Sequence, residues 1–99
     1  MKLKFKLITI FGKSLKVEIK DLTENILTHQ WESQIKLKKT DSAGIIDGKQ
    51  IIWEYLDYNE VGCAFDHLKY VINETEIDLT TDQTHKINLI HRRLSPKDK

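Results

Sequence analysis

The amino-acid sequence predicts an α+β fold, with an N-terminal three-stranded antiparallel sheet over residues 1–40 followed by three packed helices over residues 45–94. Apolar residues alternate with lysine and glutamate through the first third, the period of a strand with one buried face. Through the second half they recur every three or four residues, the period of a helix. The turn-rich Thr40-Asp41-Ser42-Ala43-Gly44 separates the two patterns without the length of a linker. A chain of 99 residues suits a single domain, because two separate cores would each be too small to stand alone.

In the first strand Leu3, Phe5 and Leu7 alternate with Lys4 and Lys6, and in the second Leu15, Val17 and Ile19 alternate with Lys16, Glu18 and Lys20. Gly12 lies between them, which makes residues 2–20 a predicted hairpin. Trp31, Ser33, Ile35 and Leu37 form the third alternating set, and Asp21–His29 reads as a loop or one short helical turn. The first helix is predicted from Asp47 to Tyr58, with Ile52, Tyr55 and Leu56 on one side and Gln50, Glu54 and Asp57 on the other. Asn59 is the expected N-cap of the second helix. There Val61, Ala64, Phe65, Leu68, Val71 and Ile72 form a continuous stripe, leaving Cys63, Asp66, Tyr70, Asn73 and Glu74 outside. Gly62 in that helix implies a close approach to the preceding segment. Thr80 followed by Gln83 is a capping-box signature for the third helix, whose inner side is Ile87, Ile90 and Leu94. Ser95-Pro96 stops it, and residues 95–99 are expected to be a disordered tail.

Composition excludes several classes. No apolar run approaches the roughly 20 residues that span a bilayer, and the alternating charge at the start is unlike a signal-peptide core, so a cytosolic protein is expected. A single cysteine, Cys63, makes neither an internal disulfide nor a Cys-based zinc site. His29, His67, His85 and His91 show no His-x-x-x-His spacing, and the glycines are too dispersed for a phosphate loop. Glu54 and Asp57, three apart, are better explained as an exposed carboxylate face than as an acid and base. No catalytic residue, metal or cofactor is assigned, and enzyme activity is not expected.

The net charge of +1 conceals segregation along the chain. Residues 1–40 carry nine lysines against four acids, residues 41–82 ten acids against two lysines, and residues 83–99 five bases against Asp98. Either these blocks neutralise one another in the fold, or the acidic block occupies one surface and attracts a cationic partner. The second alternative assigns Glu54, Asp57, Tyr58, Glu60, Asp66 and Tyr70 to a partner-binding ridge on two consecutive helices, since tyrosines amid carboxylates suit an interface. Partial burial with the hydroxyl reaching water is the plainer account of the two tyrosines.

The run from Tyr55 to Leu68, followed by Thr75-Glu76-Ile77-Asp78-Leu79-Thr80, resembles small bacterial immunity proteins of the MafI and contact-dependent growth inhibition type. The matching positions are Asp57, Glu60, Gly62, Ala64, Asp66, Leu68, Ile77, Leu79 and Thr80, within residues 50–94. The departure is the N-terminal half, read here as strands where relatives are mainly helical. The resemblance implies an antidote that neutralises a cognate toxin C-terminal domain, commonly a nuclease with a cationic cleft. The alternative is a nucleic-acid or ribonucleoprotein-binding module using the lysine-faced sheet and Arg92-Arg93, although the acidic middle opposes nucleic acid by repulsion. A third reading is an oligomerising scaffold paired through the first strand.

Overall fold

The computed structural model describes residues 14–38 and 44–94. Its regular elements are all helices: α1 (Leu15–Ile26), α2 (His29–Lys38), α3 (Gly48–Asp57), α4 (Val61–Glu74) and α5 (Thr81–Leu94). No strand occurs among the described residues, so the predicted α+β architecture is corrected to an all-helical one. The first predicted strand, most of the dividing turn and the tail after Leu94 lie outside the described residues.

The reason for the correction is a competition between two periods. Leu15, Val17 and Ile19 alternate over five residues only, whereas Ile19, Leu22, Thr23 and Ile26 keep i, i+3, i+4, i+7 spacing across a longer stretch and are the buried residues of α1. Val17, which a strand would bury, is 43% exposed. Ser14 starts the helix by accepting the Val17 N–H at 3.2 Å, and Glu18 sits in the first turn, where the helix dipole favours a negative charge. The segment from Asp21 continues the same helix to Ile26. In α2 the true pair is Trp31 and Ile35, one turn apart and both buried, while Ser33 is exposed. Thr28 starts that helix by accepting the Trp31 N–H at 3.3 Å.

The second half follows its sequence pattern closely. Ile52 and Leu56 of α3 and Ala64, Phe65, Leu68, Val71 and Ile72 of α4 are buried, with Val61 half-buried beside them. Each large aliphatic or aromatic group removed from water contributes roughly 1.5–3 kcal/mol. Thr80 and Gln83 form the reciprocal capping box, Gln83 N–H to Thr80 Oγ1 at 3.0 Å and Thr80 N–H to Gln83 Oε1 at 2.9 Å. Two local expectations change. Asn59 does not cap α4: at φ +61° it closes the end of α3, and Glu60 takes the N-cap position without its side chain accepting a backbone N–H of the first turn. A Cβ added at Gly62 meets nothing within 4 Å, so no close approach occurs there.

The close approach lies at Gly48 instead. A Cβ at that buried glycine would stand 2.8 Å from Val71 Cγ2, so α3 reaches α4 through bare backbone. Helix α1 packs on α3, α4 and α5. Helix α2 is tied to the end of α4 by a hydrogen-bond chain in which Trp31 Nε1–H donates to Thr75 Oγ1 at 3.2 Å and that hydroxyl donates to Val71 O at 2.8 Å. Helix α5 buries Ile90 and is held to α1 by Gln83 Nε2–H to Asn25 Oδ1 at 2.8 Å and by the Arg93–Glu18 ion pair at 2.8 Å.

The two glycines give opposite expectations. Gly62→Ala should stabilise α4 by up to about 1 kcal/mol, because a helix position with open space loses only backbone freedom. Gly48→Ala should cost about 1–3 kcal/mol through overpacking against Val71. Chemical denaturation of the two variants, compared at constant m-value, checks the sign of each. Thr75→Val, which strands the Trp31 indole N–H, should cost about 1–2 kcal/mol in the same measurement.

Candidate functional site

The acidic character of the surface begins where α3 ends. Between residues 48 and 80 there are seven acids against Lys49 and Lys69. The corner joining α3 to α4 is fixed by its own backbone: Tyr58 N–H bonds the Glu54 and Tyr55 carbonyls at 3.2 Å each, Asn59 N–H bonds Leu56 O at 2.9 Å, and Glu60 N–H bonds Tyr55 O at 2.8 Å. On this braced corner Tyr58 is 78% exposed, between Asp57 and Glu60.

Helix α4 contributes the other half. Cys63, Asp66, His67 and Tyr70 repeat at i, i+3, i+4 and i+7, and with Tyr55 of α3 they line a shallow cleft of about 270 Å³. His67 is its floor. The His67 Nε2–H donates to the Gly44 carbonyl at 2.9 Å, which holds the imidazole between the Tyr55 ring, 6.5 Å away, and the Tyr70 ring, 5.4 Å away. Gly44 at φ +80° cannot take a side chain without meeting the same imidazole, since a Cβ would lie 2.8 Å from His67 Cε1.

The structure divides the six residues assigned from the sequence. Asp66 and Tyr70 share the cleft, and Glu60 reaches its edge by accepting the Cys63 thiol at 3.5 Å. Glu54 and Tyr58 lie one helical turn apart on the exposed side of α3, with Gln50 Nε2–H donating to Glu54 Oε2 at 3.5 Å. Asp57 follows Tyr55 by two residues, about 200° around the helix, and so occupies the flank turned away from α4. Sequence reasoning missed Tyr55 and His67, although the outer stripe from Cys63 to Tyr70 was available to find the histidine.

Among the described residues none of Glu54, Asp57, Glu60 and Asp66 pairs with a lysine of the first 40. Asp66 has Lys69 at 3.8 Å on its own helix, a largely exposed pair of the kind worth about 0–1 kcal/mol. Lys20 and Lys49 stand 5.9 Å from the Trp53 ring instead, so these two cations are engaged by an aromatic face. Among the described residues no three His, Cys, Asp or Glu side chains cluster to hold a metal ion, and no helix is long and apolar enough to cross a membrane. The chain matches no family model, no curated protein and no solved structure.

The hydrogen bond from the Cys63 thiol to Glu60 raises its pKa above the ordinary cysteine value, and the charges of Glu60 and Asp66 add to the effect. A raised pKa means less thiolate at a given pH. Alkylation of Cys63 by iodoacetamide at pH 8 should therefore be slower than that of a free cysteine peptide despite its exposure, and Glu60→Gln should accelerate it.

Proposed function

We propose that this protein is a cytoplasmic bacterial immunity protein that neutralises a cognate toxin domain, a cationic nuclease, by presenting the acidic α3–α4 surface to it. The observation that carries the reading is the braced corner with Tyr58 almost fully exposed between carboxylates that, among the described residues, take no lysine partner from the first 40. An isolated exposed tyrosine is ordinary, but one fixed at a corner of one-signed charge combines an aromatic anchor with a steering field. The helices Leu15–Ile26 and His29–Lys38 support the same reading, since over those residues they narrow the departure from the mainly helical immunity proteins that the sequence resembles. The rival nucleic-acid reading loses the lysine-faced sheet on which it rested, because its second and third strands are α1 and α2.

The mechanism follows from range. Carboxylates act across the Debye length and accelerate encounter, whereas Tyr58 and the cleft act only in contact and slow dissociation. Blocking then needs no chemistry from this chain: the acidic surface occupies the cleft where the toxin would hold phosphates.

The primary test is to ask whether the neighbouring reading frame encodes a large secreted protein with a toxin-like C-terminal domain and to co-express that domain with this chain, which should rescue growth and yield a co-purifying complex. Reversing both Glu60 and Asp66 to lysine should lower the association rate by about tenfold or more at low salt, with the difference shrinking at high salt. Tyr58→Ala should act on dissociation instead, at a cost of about 2 kcal/mol. Unchanged affinity and unchanged salt dependence in the double reversal would show that this surface does not make the contact.

A further inference from the structure

We infer that the cleft between Tyr55 and Tyr70 is a receptor for a single arginine side chain of the protein partner, an inference that rests on the acidic surface proposed above and names what it selects. At about 270 Å³ the cleft falls just short of the roughly 300–1,000 Å³ of a small-molecule pocket, a size suited to one inserted side chain. Its lining combines the rings of Tyr55, His67 and Tyr70 with the Asp66 carboxylate, the two kinds of group that a guanidinium engages. The His67 ring lies 6.5 Å from the Tyr55 ring and 5.4 Å from the Tyr70 ring, tilted to them by 56° and 44°, and is held by Gly44, so its position among the aromatic groups is set before a partner arrives. Asp66 lies at the rim, 78% exposed at its side chain, and Glu60 adds negative charge from the Cys63 side.

Lysine suits this shape less well. An ammonium is compact, strongly hydrated and without a planar face, whereas a guanidinium stacks on a tyrosine and presents two parallel N–H groups to one carboxylate. At Asp66 the occupant would exchange with the long contact to Lys69, which also stands 4.9 Å from the Phe65 ring. Free arginine has the same head group, but the acidic residues around the cleft favour a cation that brings further positive charge with it, as a basic protein surface does.

The test uses the full chain with two capped peptides of equal charge, hexa-arginine and hexa-lysine, titrated at low salt while backbone amide resonances are followed. Hexa-arginine should bind at least about fivefold more tightly, with saturable shifts centred on Asp66, His67 and Tyr70. Tyr70→Leu and Asp66→Asn should erase that preference, and Tyr70→Phe should keep it; a thermal melt of each variant confirms that it is folded. Equal affinities for the two peptides, with shifts spread along Glu54, Asp57 and Glu74, would overturn the arginine receptor and leave the acidic surface standing. Absence of binding by either peptide overturns the receptor as well, and toxin rescue measured separately then decides whether the antidote reading survives.

Discussion

The contact between Gly48 and Val71 sets the orientation of the whole outer surface. With no side chain on α3 at that point, the two helices approach through backbone, and Val71 has one place to go. That fixes the rotation of α4 about its axis. Phe65, Leu68 and Ile72 then face the core, and the stripe from Cys63 to Tyr70 is turned outward and toward α3. The same contact places Gly44 and Ile45, the residues leading into α3, beside α4: Ile45 is fully buried, and the Gly44 carbonyl accepts the His67 Nε2–H. A tightly packed interior transmits such a constraint because it has no slack in which a helix can rotate.

How much of this was legible depended on the length over which a pattern repeated. The stripe of α4 runs through three turns, and only a helix satisfies it, so its inner and outer faces were both readable. The capping box at Thr80 and Gln83 was readable for another reason: it is a local hydrogen-bond exchange that needs no tertiary partner. Leu15 and Ile19 fit both periods while Val17 fits only that of a strand, and five residues are too few to separate them. The helical register is continued by Leu22, Thr23 and Ile26, where the buried Thr23 satisfies its hydroxyl by donating to Ile19 O at 2.7 Å. A threonine so placed looks polar in sequence and behaves as core in the fold. Gly62 and Gly48 show the same limit, since a glycine signals freedom or proximity and only the packing tells which.

The charge blocks follow a pattern that neither simple alternative describes. The basic end of the chain is drawn back to its beginning, where Arg93 pairs with Glu18, an acid of the predominantly basic first block. The lysines Lys20 and Lys49 lie by Trp53, and Lys69 lies over Phe65. Cations in the described part of the molecule are thus engaged largely by aromatic faces, by α1 and by acids on their own helices. What they do not engage are Glu54, Asp57 and Glu60, and the negative field of these acids, spread over α3 and the corner after it, persists because no described element pairs a lysine or arginine with them.

A field of that kind attracts any cation, so on its own it explains encounter and not choice. Choice requires contacts that are lost when the wrong group is offered, and these must be short-ranged and partly shielded from water. On this surface the short-range feature is the cleft lined by Tyr55, His67 and Tyr70, and its shape depends on His67 being held by a carbonyl from a different segment. Under the proposed reading, steering and selection are separable in the sequence: exchange among the acids at 54, 57 and 60 keeps the negative charge, whereas exchange of the residues that shape the cleft changes its lining. Gly44 belongs with the second group, because a side chain there meets the imidazole of His67.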